Sequence, residues 1–448
     1  MRTCDVIPIT EYGGFTCGVA APGYKYKSLP EKTFKALEKF ILANNTGPGA
    51  EAVELLSISV RRGIGKVITA KNYVGLITMT DGTVIEILPK IVGADISETE
   101  TKEIFLEMLK TIKDVPFKEF NVSNIRADRM NLLEIFIKMF LDEIAVLTKQ
   151  GLKAAYTSVE ANERFYKGKL LASQNIKCNL VNKERFFVRY DNLDIDRPEN
   201  RLIKSTLSFL LKQTNDGRNC RNAARLLTFF EGVAHSANYE ADFSKSFIDR
   251  GMNHYNKALY WCRTFLRGNS FTAFAGSEVA LALLFPMEKV FESFVAAMLR
   301  KRIGDDVTLR TQDSRYSLFD LPVRAFAIRP DMVLEYEGHK VILDTKWKLL
   351  SDSMRNSGIS QSDMYQMYAY SKKYGADRVM LIYPRSEAVT KTDIRYASND
   401  NVNVGVFFMD LKDIDGSISK LLARVVRPAP FCKAQILPPS HANQQNFG

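Results

Sequence analysis

The spacing of apolar residues divides the chain into stretches of different character. Up to residue 97 the apolar positions fall in short runs, Glu54–Val60, Gly65–Thr69, Val74–Met79 and Thr83–Leu88, each of strand length. Asp81-Gly82 between the last two predicts a tight hairpin, because a two-residue turn needs the positive φ that Gly accepts. One segment breaks the pattern: from Glu31 to Ala43, Phe34, Leu37, Phe40 and Ile41 recur at helical spacing. Residues 1–97 therefore read as a β-rich domain with one helix, folded as a small barrel or curled sheet.

From 98 to 274 the period is helical. Glu100–Ile112 and Met130–Lys149 carry apolar stripes, the second through Leu133, Phe136, Ile137, Phe140, Leu141 and Ile144. A more polar stretch, Ser158–Asn192, follows, and Pro198 opens another amphipathic segment to Gln213. From 275 to 427 the pattern becomes α/β. A helix is expected over Pro286–Arg302, strands over Val307–Thr311, Ala325–Tyr336 and Val341–Trp347, a helix over Ser362–Lys373, and buried strands over Arg378–Tyr383 and Val402–Met409. The tail from 428 to 448 is rich in Pro, Asn and Gln and is expected to fray. The whole reads as a multidomain α+β chain.

Composition narrows the chemistry. The 448 residues carry a net charge of +11, which favours an anionic partner. Between Lys153 and Arg225 there are 15 Lys/Arg against 8 Asp/Glu, so the excess sits in the middle region. No apolar run reaches membrane-spanning length and the N-terminus has no secretory core, so an intracellular protein is expected. The six cysteines (Cys4, Cys17, Cys178, Cys220, Cys262 and Cys432) form no CxxC pair, and the four histidines are scattered. That argues against a zinc site or a disulfide framework, and leaves oxygen ligands, hence Mg²⁺ or Mn²⁺, for any metal chemistry.

The segment that carries such chemistry runs from Arg329-Pro330-Asp331 through Met332–Tyr336, the turn around Glu337-Gly338, and Val341–Leu343 to Asp344-Thr345-Lys346. Two apolar strands flanking a Gly-containing turn predict a hairpin. A two-residue loop at Glu337-Gly338 puts Asp331 opposite Asp344; a loop one residue later puts it opposite Lys346. Either register brings Asp331, Asp344 and Lys346 to one face, because side chains alternate with period two. Two close carboxylates repel, and a hard divalent cation relieves the repulsion. Such a cation lowers the pKa of a bound water, while a lysine orients that water or offsets charge on a phosphate. Phosphodiester hydrolysis is the expected reaction.

Pro330-Asp331 followed by Asp344-Thr345-Lys346 resembles the PD-(D/E)xK nuclease superfamily. The resemblance implies an αβββαβ core in residues 275–427 and an acidic residue on the preceding helix. Glu288 and Glu292 are the candidates, with Glu292 favoured as a further catalytic and metal-binding residue. Gln366 and Tyr370, four apart on the next helix, are similar to the Q-x-x-x-Y motif of RecB-like members, which implies support of the site or a DNA contact.

An ordered series of further blocks resembles the McrC family, over about residues 55–410. It comprises Asn72–Ile77 with Asp81-Gly82-Thr83 and Ile85–Ile91, then Arg164–Leu170 with Asp196–Arg201, then Met287–Val295 and the motifs above. This implies a Mg²⁺-dependent DNA endonuclease subunit of a 5-methylcytosine-type restriction system in a prokaryotic cytoplasm. Its partners would be double-stranded DNA and an McrB-like AAA+ ring whose GTPase it stimulates. GTP would be bound by that partner, since this chain has no GxxxxGK[ST] loop.

The N-terminal domain is then the expected contact with the ring, with Arg61, Arg62 and Lys66 around a Gly turn as candidates to act in trans. Arg164, Lys167, Lys169 and Arg201 either touch phosphate or hold the helical region together. Two other readings stay open: a stand-alone or differently partnered nuclease with the same site, and a non-catalytic adaptor that regulates an NTPase.

Overall fold

The structure, a computed structural model, describes residues 5–18, 26–44, 55–91, 97–112, 130–246, 254–266 and 279–426. The tail expected to fray from 428 lies outside these residues. The chain divides into two compact units, residues 1–294 and 295–448.

The first unit begins with β1 (Val6–Thr10), β2 (Gly14–Cys17), β3 (Tyr26–Leu29), α1 (Glu31–Asn44), β4 (Leu56–Arg61), β5 (Gly65–Ala70), β6 (Tyr73–Met79) and β7 (Val84–Leu88). Next come α2 (Glu98–Leu109), α3 (Leu132–Gln150), β8 (Ala155–Glu163), β9 (Lys169–Leu170), α4 (Ala172–Asn179) and β10 (Phe186–Asp194). It continues through α5 (Pro198–Gln213), α6 (Gly217–Thr228), α7 (Tyr239–Lys245), α8 (Tyr255–Leu266) and β11 (Val279–Pro286). Helix α9 (Met287–Arg302) runs across the division.

Where a small barrel or curled sheet is expected at the N-terminus, the strands form two four-stranded sheets, β3-β2-β5-β4 and β1-β7-β6-β11. The second sheet takes its last strand from some two hundred residues further along: β11 pairs antiparallel with β6. Gly75 makes the pairing possible. Its φ is +140°, and a Cβ there would stand 1.9 Å from the Leu283 carbonyl oxygen. The stripe Phe34, Leu37, Phe40 and Ile41 of α1 fills a core lined by both sheets, including Phe15, Ile68, Ile77, Ile87 and Leu284.

The middle region, expected to be helical, also contains a sheet. Strands β8, β10 and β9 form it in that order, and β8 and β10 pair along their whole length. Half of its side chains are exposed and only Val188 is buried, so neither a period of two nor one of 3.6 marks it among the apolar residues. The helices beside it do follow their stripes. Phe136 of α3 lies 6.3 Å from Trp261 of α8 and 6.0 Å from Phe285 of β11, ring centre to ring centre.

In the second unit come β12 (Thr308–Thr311), β13 (Ser317–Phe319), β14 (Ala325–Ala327), β15 (Met332–Tyr336), β16 (His339–Thr345), α10 (Gln361–Tyr374), β17 (Arg378–Pro384), β18 (Ile394–Ala397), β19 (Asn403–Met409) and α11 (Ile414–Val426). The single strand expected over 325–336 is split into β14 and β15 around Arg329-Pro330, since proline has no N–H to give a ladder. A six-stranded sheet has the order β12-β15-β16-β17-β19-β18. Its centre, β16-β17-β19, is parallel and its edges are antiparallel. Helix α10 connects β16 to β17 and buries Met367, Tyr370 and Tyr374 against Val333, Ile342, Val379, Leu381 and Val404. Ser360 caps α10 by accepting the Asp363 N–H, and Gly375 ends it at φ +57°.

Candidate active site

The β15–β16 turn is the two-residue form: Tyr336 pairs with His339, and Met332 with Leu343. Both loop residues, Glu337 and Gly338, have positive φ. Continued one step, the register sets Asp331 opposite Asp344. In the neighbouring parallel strand Asp344 lies beside Leu381. The site thus forms at the carboxyl ends of adjacent parallel strands, where α/β sheets commonly offer a crevice.

Asp331 is half-buried. Its Oδ2 accepts the backbone N–H and the hydroxyl of Thr345, each at 2.7 Å, and its Oδ1 accepts from the Gln312 amide at 3.4 Å. Asp344 is only 1% exposed. Lys346 Nζ stands 2.8 Å from the buried Asp344 Oδ2, a direct ion pair.

A polar chain leads away from Lys346. Its Nζ donates to Gln366 Oε1 at 3.1 Å, the Gln366 amide donates to the Tyr370 hydroxyl at 2.7 Å, and Tyr370 donates to the Arg329 carbonyl at 3.0 Å. The chain returns to the segment that carries Asp331.

The charges are strongly coupled. Burial and then the charge of Asp331 push the Asp344 carboxyl up to about 7, against the pull of Lys346. Burial also raises Asp331, and the hydrogen bonds from Thr345 only partly offset it. Burial alone would lower the Lys346 ammonium, but Asp344 outweighs that and holds it above the ordinary lysine range. One consequence is a carboxylate pair that resists carrying two negative charges unless a cation joins it.

Five of the expected residues therefore meet: Asp331, Asp344, Lys346, Gln366 and Tyr370. Others were not foreseen. Thr345 anchors Asp331, and Asp363 in the first turn of α10 acts electrostatically on both Asp344 and Lys346. Thr345 lay inside the motif, yet its role depends on a bond across the hairpin. Asp363 looks in the sequence like any acid favouring a helix N-terminus.

The remaining candidates belong to the first unit. Glu288 is exposed and accepts from the Asn72 amide at 3.1 Å, whereas Glu292 is half-buried. Among the described residues no three His, Cys, Asp or Glu side chains group closely enough to hold a metal ion. Arg164, Lys167 and Lys169 are exposed around the β8–β9 turn, where Lys167 pairs with Glu163 at 3.2 Å and lies 3.8 Å from the Tyr190 ring centre.

Arg201 is engaged internally: its guanidinium donates to both oxygens of Asp196 at 2.7 and 2.6 Å. Beside it Asn200 donates to the carbonyls of Lys153 and Ile195 and accepts from the Tyr255 hydroxyl, a structural corner. At the β4–β5 turn Arg61 lies 5.6 Å from the Tyr26 ring centre and Lys66 pairs with Glu38 at 2.6 Å, while Arg62 is exposed.

Fold and site together define a mixed α+β protein whose C-terminal sheet presents a buried carboxylate pair and a lysine at its strand ends. Residues 68–384 match the family model described as McrBC 5-methylcytosine restriction system component. That is more than half of the chain, and the chain belongs to the McrBC family.

Among solved structures it is similar to a chain of the refined half-complex from a tetradecameric assembly of Thermococcus gammatolerans McrB AAA+ hexamers with bound McrC. The TM-score is 0.67 at 18% identity, over 93% of this chain and 100% of that one. A chain of the Thermococcus gammatolerans McrBC complex, solved by cryo-EM, matches with a TM-score of 0.50 at 19% identity, over 67% of this chain and 88% of that one. At these identities the likeness is one of fold. No curated protein matches the chain. No helix among the described residues is long and apolar enough to cross a membrane.

Proposed function

We propose that this chain is the DNA-cleaving subunit of an McrBC-type restriction system, hydrolysing phosphodiester bonds with a divalent cation at a PD-(D/E)xK site. The observation that supports it most is the convergence of Asp331, Asp344 and Lys346, with Asp344 buried and its carboxyl pushed up to about 7 by burial and by the charge of Asp331. Two buried carboxylates that resist carrying two negative charges together are relieved by a divalent cation. Two carboxylates are a sufficient protein share for Mg²⁺, which keeps several waters and takes further oxygens from a phosphate.

Asp331 and Asp344 would hold the ion. When bound, Mg²⁺ or Mn²⁺ supplies Lewis acidity toward the phosphoryl oxygen and acidifies a water. Thr345 fixes the rotamer of Asp331. Lys346, held by Asp344 and Gln366, presents its ammonium where it can orient a water or offset charge on the phosphate.

For the partner we propose an McrB-like AAA+ GTPase ring: one structural neighbour comes from an assembly of McrB AAA+ hexamers with bound McrC, the other from an McrBC complex. GTP belongs to that partner. The β4–β5 turn with Arg61, Arg62 and Lys66 is the candidate contact, and the basic middle region is the candidate DNA surface.

The test incubates this chain and its AAA+ partner with methylated and unmethylated plasmid, Mg²⁺ and GTP, beside an Asp344→Ala control. Cleavage that needs both proteins and GTP and vanishes in the variant supports the proposal. Cleavage by this chain alone, indifferent to GTP, replaces it with an independent nuclease. Stimulated GTP hydrolysis without any cleavage replaces it with an adaptor.

A further inference from the structure

One pair of strands in the second unit stands outside the six-stranded sheet. Among the described residues β13 and β14 pair only with each other, Ser317 with Ala327 and Phe319 with Ala325, and the chain turns between them at 320–324. Two strands alone have no core of their own and are marginal in water. Yet this ribbon shows apolar side chains to solvent: Leu321 is 84% exposed, Phe326 73%, Val323 70% and Phe319 55%. Phe326 is held at φ +59°, which bulky residues rarely adopt, and its ring centre lies 5.9 Å from that of Phe319. An exposed apolar cluster of this kind marks an interaction surface.

The base of the ribbon is tied to the candidate active site. On one leg, Gln312 donates its N–H to the Asp331 carbonyl at 2.9 Å and its amide to Asp331 Oδ1 at 3.4 Å. On the other, the Arg329 carbonyl accepts the Tyr370 hydroxyl, and the Ile328 N–H donates to the Tyr316 carbonyl at 3.1 Å. Tyr316 rests on Tyr374 of α10, ring centres 4.5 Å apart, and Lys373 of the same helix pairs with Asp320 at 2.8 Å. The ribbon is thus fixed relative to Asp331. Val323 is eight residues from Asp331, so the tip lies within about 29 Å of the site. One turn of duplex DNA is longer, about 34 Å. A duplex with a phosphate at Asp331 therefore runs within a helical turn of the tip.

Charge and shape select the occupant. Between 313 and 329 lie two acids and three arginines. Both acids are already paired, Asp313 with Arg315 at 2.7 Å and Asp320 with Lys373. Arg324 and Arg329 remain exposed, one beside the apolar tip and one at the base. A ribbon two strands wide fits a DNA groove, whereas a stable protein interface takes about 800 Å² of broad surface from each partner. We propose that β13–β14 is a DNA-deforming arm: Leu321 and Val323 wedge between base steps from the minor groove, and Arg324 holds a neighbouring phosphate. The inference rests on the DNA-cleaving reading given above and adds a bend in the substrate within a helical turn of the cut.

The test uses the full chain with its AAA+ partner, in an Asp344→Ala background that leaves DNA uncut, and a short end-labelled duplex. Energy transfer between the labelled ends reads bending, and a salt titration reads affinity. The parent is expected to bring the ends closer together than in free duplex. Leu321→Ala should lose most of that bend and about tenfold in affinity, while melting like the parent because an exposed side chain contributes little to the fold. Arg324→Ala should lower the slope of log affinity against log salt by roughly one.

Unaltered bending and affinity in Leu321→Ala would overturn the inference. So would unaltered bending in a variant that sedimentation shows to have lost self-association or its hold on the AAA+ partner, for then the cluster is a protein interface. If the parent fails to bind the duplex and the chain with Asp344 intact fails to cleave it, the underlying nuclease reading fails, and the inference falls with it.

Discussion

Asp331 is held in place by Thr345, the residue between the other two site positions: one carboxylate oxygen takes both the backbone N–H and the hydroxyl at 2.7 Å. This explains how an aspartate just outside the strand keeps a fixed direction. Thr345→Val preserves the shape and the N–H but removes the hydroxyl. We expect the cleavage rate to fall about tenfold, as for other outer contacts to metal ligands. Stability should drop by about 1 kcal/mol. Single-turnover cleavage and denaturant unfolding measure the two, and an unchanged rate would show that the backbone bond alone suffices.

Asp344 predicts an unusual pH dependence. Its carboxyl is pushed up to about 7, while an unfolded aspartate titrates near its ordinary value of about 4. Between those values the folded chain holds a proton that the unfolded chain releases. Metal-free stability contributed at this position is therefore present at low pH and is lost as pH rises through that window. Asp344→Asn cannot ionise and escapes the loss. The variant should melt above the metal-free wild type at pH 8, with the gap closing towards pH 4. Thermal unfolding in chelator at both pH values checks this, and a variant that melts lower at pH 8 would refute the sign. Mg²⁺ should narrow the gap at pH 8, because it replaces the missing proton on wild type only.

These residues also show where sequence reasoning reached and where it stopped. Asp331, Asp344 and Lys346 were legible because a hairpin is local: period two and a Gly turn of known length fix which side chains share a face. Gln366 and Tyr370 were legible because four residues make one helical turn. Strand β11 was not, because it reaches β6 through pairing that no local period encodes. The sheet of β8, β10 and β9 escaped for the opposite reason. Its pairing is regular, but only Val188 among its side chains is buried, which leaves no apolar signature.

Arg201 and Arg164 were candidates for the same task, and the structure separates them. Arg201 forms a two-pronged pair with Asp196, whose Oδ1 also accepts the Ala234 N–H at 2.9 Å. Arg201→Ala should cost about 1–2 kcal/mol of stability, a modest figure because the pair is partly exposed. It should leave the salt dependence of DNA binding unchanged. Arg164 is exposed on the β8–β9 turn. If it meets a phosphate, Arg164→Ala should lower the slope of log affinity against log salt by roughly one without destabilising the fold. Urea unfolding and a salt titration of DNA binding decide both, and a changed slope for Arg201→Ala would contradict the assignment.

The β4–β5 turn offers three cations, but two are occupied. Lys66 is paired with Glu38 at 2.6 Å and Arg61 lies over the Tyr26 ring, whereas Arg62 is exposed and makes no hydrogen bond or ion pair among the described residues. A charge that acts in a partner's site must be free to leave its own surface, and the flanking Gly63 and Gly65, both at positive φ, shape the turn that presents it. Arg62→Ala should therefore reduce stimulation of the partner's GTP hydrolysis by roughly tenfold or more, the lower end of what a residue supplied in trans contributes to phosphoryl transfer. Lys66→Ala should leave stimulation near wild type. Steady-state GTP hydrolysis at saturating concentrations of each variant reads the difference. Loss with Lys66→Ala but not with Arg62→Ala would mean that the strand edge, rather than the tip of the turn, meets the ring.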